Sequence, residues 1–225
     1  MLVKNWMTEK VITLTHDRSM MKAAKLMKDN DIHRLPIVDD EGVLVGIISD
    51  RDIKEASPSK ATTLDMHELY YLLSEIKVKD IMSRKVITVT VEDTVEKAAV
   101  LMESKNIGGI PVVDADNKCV GIITDTDVFK VLIQITGVMD GGIQIGLTLS
   151  NDPGSLNEVL EYLKASNARV MSILTSYEPE QDNMRQVFIR IHDMEKAALN
   201  KIKEDITKNF DMQFWVRDSI HGLTS

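Results

Sequence analysis

The stretch Val3–Asp52, VKNWMTEKVITLTHDRSMMKAAKLMKDNDIHRLPIVDDEGVLVGIISDRD, returns 75 residues later as Val78–Asp127, VKDIMSRKVITVTVEDTVEKAAVLMESKNIGGIPVVDADNKCVGIITDTD. The two copies align without a gap and share 23 identities in 50 pairs. A fixed-period match of this quality marks a repeated structural unit. A unit of roughly 50 residues buries too little surface to stand alone, so the copies are expected to pack as one body.

Each copy reads the same way. Val11–Thr15 is a short β-rich run. Met20, Ala23, Ala24 and Met27 recur at three- and four-residue spacing, which predicts a helix over about Ser19–Asn30 with Ser19 as its N-cap. Leu35–Asp39 is a strand opened by proline, Asp40-Glu41-Gly42 a turn, and Leu44–Ile48 the partner strand of a hairpin. A second helix starts near Asp50. Copy two repeats this βαββα order, with Val95, Ala98, Ala99 and Met102 on its helix. M-[TS] at the start, a proline-led apolar strand ending in Asp, and G-h-h-[ST]-x-x-D at the hairpin exit occur twice, in order. This pattern resembles the CBS domain over roughly the first 135 residues.

Residues 55–77 connect the copies. They begin with a turn-like Ala56–Lys60 and carry Leu69, Leu72, Leu73 and Ile76 as a helical stripe behind a capping signature at Thr62–Asp65. After residue 136 the pattern changes. Gly137, Gly141, Gly142 and Gly146 suggest a hinge over residues 137–142 and just beyond. Ile143, Ile145, Leu147 and Leu149 alternate as a half-buried strand. A tight turn at Asn151–Gly154 follows, then a helix, two strands (168–174 and 186–191), a helix over 195–210 and a last strand over 212–217. This βαββαβ order over 143–218 predicts a ferredoxin-like unit. The run Asp152-Pro-Gly-Ser-Leu156 at its first strand–helix junction resembles the ACT domain. The fold class expected is therefore α+β: CBS repeats 1–54 and 78–136 packed as one module, an ACT-like domain, and a tail from 219 to 225. The whole arrangement resembles the acetoin-utilisation B-type proteins.

Composition narrows the function. The net charge of −8 and the lack of a basic cluster disfavour nucleic acid. No stretch reaches the ~18 apolar residues of a membrane span. Cys119 is the single cysteine, so no intramolecular disulfide can form, and a cytoplasmic location is expected. The histidines, scattered from His16 to His221, form no H-E-x-x-H array, and no G-x-S-x-G elbow occurs, so the chain is not expected to be an enzyme.

The CBS resemblance implies a nucleotide in the cleft between the copies. The carboxylate closing [ST]-x-x-D then accepts hydrogen bonds from the ribose hydroxyls, which maps to Asp52 with Ser49 and to Asp127 with Thr124. A carboxylate accepts and a vicinal diol donates, so the chemistry is sound. The alternative reading of these acids is as helix N-terminal residues facing the macrodipole. Adenine is implied to lie against Val11, Ile12 and Thr13 with Leu35, Pro36 and Ile37, and against Val86, Ile87 and Thr88 with Ile110, Pro111 and Val112. Phosphate would meet His33, Arg34 and Arg51, whose counterparts in copy two are Gly108, Gly109 and Thr126. That asymmetry favours one phosphorylated ligand, AMP, ADP or ATP, and leaves room for an adenosyl compound without phosphate, such as S-adenosylmethionine. No covalent cofactor and no metal site is implied. In the ACT-like domain, Asp152, Gly154, Ser155 and Leu156 are the candidate contacts for an amino acid, since a helix start exposes N–H groups to a carboxylate. The alternative reading of the same Pro-Gly is that it only makes the turn. Homodimerisation is expected either through the CBS pair or through the ACT-like sheet. The competing readings are a ligand-free oligomerisation scaffold and a component of an acetoin-pathway enzyme.

Overall fold

The computed structural model describes residues 1–57, 74–177, 183–218 and 220. It divides into two compact units, Met1–Phe129 and Lys130–Ser225. Among the described residues, no helix is long and apolar enough to cross a membrane.

In the first unit, repeat one runs β1 (Leu14–Thr15), α1 (Met20–Asp29), β2 (Arg34–Val38), β3 (Leu44–Ser49) and α2 (Asp50–Ala56). Repeat two runs α3 (Val78–Ile81), β4 (Val89–Thr90), α4 (Val95–Lys105), β5 (Gly109–Val113), β6 (Cys119–Thr124) and α5 (Asp125–Thr136). Two three-stranded sheets result, β1-β2-β3 and β4-β5-β6. Their registers repeat at the sequence period. Arg34 pairs with Ser49 as Gly109 pairs with Thr124, and both hairpins carry a bulge, between Ile37 and Val38 and between Val112 and Val113.

Local chemistry starts the helices. The Ser19 hydroxyl accepts from the Lys22 amide at 3.3 Å, and the Thr94 hydroxyl from the Lys97 amide at 3.1 Å, each satisfying an orphan first-turn donor. Helix α1 buries Met20, Ala23 and Met27, and α4 buries Val95, Ala98 and Met102. The expected strand over Val11–Thr15 shrinks to Leu14–Thr15. Residues before Leu14 leave the sheet because the chain there turns to the other repeat.

That turn is the main tertiary device of the unit. Thr8 exchanges backbone hydrogen bonds with Ile122 of repeat two (2.9 and 3.1 Å), and Ser83 exchanges them with Ile47 of repeat one (2.9 and 3.0 Å). Met7 and Met82 cross with them. A Cβ at Gly121 would lie 2.7 Å from the Met7 sulfur, and one at Gly46 2.4 Å from the Met82 sulfur. The methionine that opens one copy thus packs where the hairpin glycine of the other leaves room. The two motifs of the repeat are halves of one reciprocal contact.

The second unit carries the βαββαβ order read from the sequence: β7 (Ile143–Ser150), α6 (Ser155–Ala165), β8 (Val170–Ser176), β9 (Met184–Ile191), α7 (Lys196–Asn209) and β10 (Asp211–Val216). The sheet is antiparallel with order β10-β7-β9-β8. Ile143, Ile145, Leu147 and Leu149 pack with Val187, Ile189 and Ile191 under Val159, Leu163, Leu199, Ile202 and Ile206 of the two helices. On the opposite face Phe188 and Phe214 stack at 6.1 Å.

Helix α5 continues to Thr136, across the division between the two units. The Ser172 hydroxyl donates to the Thr136 carbonyl at 2.9 Å, which holds that end of the helix to β8. One expectation changes here: Gly146 is not part of a hinge. It lies within β7, where a Cβ would meet the Phe214 ring at 2.4 Å. The connector stripe Leu69, Leu72 and Leu73, the signature Thr62–Asp65 and nearly all of the 219–225 tail lie outside the described residues.

Candidate ligand-binding clefts

The strand exchange creates two related clefts in the first unit. Cleft 1 has a volume of about 360 Å³. Its apolar wall comes from repeat two, with Val86, Ile87, Ile107 and Pro111, and its polar wall from the hairpin exit of repeat one, with Ser49, Asp50, Arg51 and Asp52. Cleft 2, about 270 Å³, inverts this, joining Val11 and Ile12 of repeat one to Ile122, Thr124, Asp125 and Thr126 of repeat two. The pairing within one copy read from the sequence is therefore corrected. Each cleft takes one wall from each copy, because the opening segment of one repeat is bonded to the hairpin of the other.

Asp52 lines cleft 1. One of its carboxylate oxygens, Oδ2, accepts from the Ser49 amide and hydroxyl, both at 2.7 Å, while the Ser49 hydroxyl accepts from the Asp52 amide at 3.3 Å. This is a capping box that starts α2. The helix-terminal reading of this residue is therefore realised. Among the described residues Oδ1 has no partner, so the group retains an acceptor. Asp127 differs. Its Oδ2 accepts from the Thr124 amide at 3.0 Å and hydroxyl at 2.7 Å, but the residue is 5% exposed and does not line cleft 2. The sequence treated the two acids as equivalent; burial separates them.

Several expected adenine contacts are also corrected. Leu35, Ile37, Ile110 and Val112 are fully buried and belong to the repeat cores. They sit on β2 and β5, the central strands of their sheets, hydrogen-bonded on both sides. Pro36, Thr13 and Thr88 line neither cleft. Val11, Ile12, Val86, Ile87 and Pro111 do.

The cationic residues gather around cleft 1. Arg34 and His33 line both clefts, and Arg51 lines the first. A Cβ at Gly108 would lie 2.2 Å from Arg34 Nη2, and one at Gly109 3.0 Å from its Cδ. The paired glycines of repeat two thus leave the space that the arginine of repeat one fills. Arg51 pairs with Glu55 at 2.8 Å and Asp50 with Lys54 at 2.8 Å. The Lys54 ammonium holds the Asp50 carboxyl below the usual range, with His33 adding to the effect. Sequence reading missed Lys85 in cleft 1 and Lys10 in cleft 2. Both immediately precede Val-Ile-Thr at equivalent positions, so the alignment of the copies already contained that signal.

In the second unit, Gly154 adopts φ +100° as the N-cap of α6, a conformation open to glycine. Asp152 is engaged by the Ser150 hydroxyl and by the Asn183 amide at 3.0 Å, and those bonds, Ser150 first, lower its pKa. The Ser155 hydroxyl donates to the Ser150 carbonyl at 2.5 Å and accepts from Arg185 Nη2 at 3.0 Å. Leu156 packs against the core, so its side chain faces away from any ligand at the junction. Arg185, absent from the sequence-based set, has a buried Nε with no partner among the described residues.

The described geometry is that of two paired repeats with two clefts between them. Residues 3–59 and 78–134, just over half the chain, match the family model of the CBS domain. The chain belongs to the CBS-domain family, as a tandem pair. A CBS domain-containing protein of Dictyostelium discoideum is 36% identical over 134 residues, covering 60% of this chain and 92% of the relative. The L-aspartate semialdehyde sulfurtransferase of Methanocaldococcus jannaschii is 36% identical over 129 residues, but this chain spans only 23% of its length. Among solved structures, the Vibrio cholerae protein AcuB, assigned to acetoin utilization, is similar with a TM-score of 0.52 and 31% identity, covering 62% of this chain and 95% of that one. The Arabidopsis thaliana CBS-pair protein CBSX2 in complex with AMP gives 0.50 and 31%, covering 60% and 98%.

Proposed function

We propose that this chain is a regulatory sensor whose CBS pair binds an adenosyl ligand, with cleft 1 as the nucleotide site. Asp52 and Ser49 meet the ribose hydroxyls, Val86, Ile87 and Pro111 flank the base, and His33, Arg34, Arg51 and Lys85 meet a phosphate. The observation that carries this is the convergence in one cleft of an acceptor carboxylate, an apolar slot and several cations. The AMP complex of a similar CBS pair supports the ligand class. Cleft 2, with Val11, Ile12 and Thr124, is the second adenosyl site, and Asp127 reaches it only if its surroundings open.

The C-terminal unit is an ACT-like, ferredoxin-like domain by this reading. Its strand order and the Asp152–Leu156 junction support that assignment, and Arg185 beside the start of α6 suits the carboxylate of an amino acid. It serves as a second effector site or as a homodimer contact. Similarity to AcuB supports a role connected with acetoin utilisation, and by this reading the chain acts in the cytoplasm and catalyses no reaction itself.

Calorimetric titration of the full chain with AMP, ADP, ATP and S-adenosylmethionine tests the reading. Saturable binding of at least one of them, weakened by Asp52→Asn, is the expected result. Silent titrations with all four would leave the scaffold in its place.

A further inference from the structure

The alignment of the repeats makes the charge of each cleft directly comparable. Cleft 1 contributes Arg51 and Lys85 against Asp50 and Asp52, which cancel. Cleft 2 contributes Lys10 against Asp31 and Asp125, which leaves one negative charge. At the position of Asp31 the first cleft has Asn106, and at the position of Arg51 the second has Thr126. Among the described residues, Arg34 is the only permanent cation that lines both. With Arg34 turned to it, cleft 1 becomes positive while cleft 2 is left negative.

Repeat two cannot supply a matching cation. Its equivalents of His33 and Arg34 are Gly108 and Gly109, and a side chain at 108 would collide with the Arg34 guanidinium and with Asp125 Oδ2, 2.5 Å from the Cβ position. Arg34 itself makes no side-chain hydrogen bond or ion pair among the described residues, so none of these fixes it to one side.

We infer that Arg34 couples the two clefts: a phosphorylated nucleotide in cleft 1 and an adenosyl ligand with a cationic 5′ substituent in cleft 2 support each other, whereas two phosphorylated nucleotides oppose each other. The inference rests on the adenosyl reading above. A phosphate in cleft 1 draws the guanidinium, and the negative charge left in cleft 2 repels a second phosphate and attracts a cation. By linkage the effect is the same whichever ligand binds first. One relocated charge across partly buried clefts corresponds to a coupling of about five- to tenfold, at the low end of ordinary coupling between sites.

Calorimetry on the full chain tests this with AMP and S-adenosylmethionine, whose sulfonium is the cationic probe. In the unmodified protein a second AMP should bind about tenfold more weakly than the first, and AMP at a concentration that fills only the first site should raise S-adenosylmethionine affinity about fivefold. In Arg34→Gln the first AMP weakens, the AMP-dependent gain in S-adenosylmethionine affinity falls to near one, and the gap between the two AMP sites narrows to what the fixed charges of the clefts set. Thr126→Arg, which adds a cation to cleft 2 at an exposed helical position, should raise the affinity for the second AMP toward that of the first. Two equal AMP sites in the unmodified protein, or coupling that persists in Arg34→Gln, would overturn the inference while leaving the adenosyl reading intact. If neither ligand bound the unmodified protein, that reading would fall and the coupling with it.

Discussion

Replacing Asp52 by asparagine separates the helix-capping role seen in the structure from the ribose contact proposed for the same carboxylate. Its Oδ2 closes the capping box on Ser49 with two 2.7 Å bonds, while Oδ1 has no partner among the described residues. Loss of the Asp52 half of the capping box, with the Ser49 cap in place, costs at most about 1 kcal/mol. For a chain of this size that is a fall of roughly 2–4 °C in melting temperature. Loss of a charge-assisted bond to the ribose costs about 1.5–3 kcal/mol, which weakens nucleotide binding about ten- to hundredfold. Ligand affinity should therefore drop much further than the mild destabilisation explains, since a protein still folded at 25 °C presents its cleft. Asp50→Asn is the matched control. That carboxylate is two residues away on the same helix turn, half-buried, paired with Lys54 and part of the same cleft, so its loss should cost little stability and, by removing a negative charge from the cleft, should not weaken AMP binding. Calorimetric titration with AMP, alongside thermal melts of the three proteins, gives both readouts. A folded Asp52→Asn variant that binds AMP as tightly as the unmodified protein would refute the ribose assignment.

Gly108→Ala pushes a methyl group onto the flexible end of Arg34 rather than onto backbone. The expected outcome is a melting temperature within about 1–2 °C of the parent and AMP affinity reduced several-fold, read by the same titration. Asp93 accepts from Lys97 Nζ at 2.6 Å and from the Thr90 amide at 2.8 Å, and its pKa is lowered, first by Lys97. A depressed folded-state pKa gives stability that is complete above the unfolded value, about 3.9, and lost as pH falls through the folded value. Urea unfolding should therefore show Asp93→Asn less stable than the parent at pH 7, with the gap closing at pH 3 and below. In the second unit, Arg190 is 3% exposed and held by Asp218 at 2.7 Å and by the Gly141 carbonyl at 3.1 Å. Asp218→Ala strands that buried charge and should destabilise the C-terminal unit by about 3 kcal/mol. Replacing both residues, as Arg190→Met with Asp218→Ala, should recover part of the loss in hydrogen-exchange protection of β9.

What the sequence determined by itself was everything encoded at short range or by repetition. The period of 75, the helix stripes with their Ser19 and Thr94 caps, the hairpins, and the βαββαβ order after Ile143 follow from periodicity and capping, which depend on neighbours within a few residues. The Asp52, Arg34 and Val86 positions were legible for the same reason, as motif residues of the copies. The tertiary structure alone decided which copy faces which. Nothing local in Met7-Thr8 or Met82-Ser83 shows that each pairs with the hairpin of the other repeat, yet that exchange builds both clefts. It alone decided that Asp127 is buried where Asp52 is not, and that Leu35 and Ile110 belong to the core. Burial depends on what packs against a residue from distant parts of the chain, and two aspartates in matching motifs carry no sign of that difference in their own neighbourhoods.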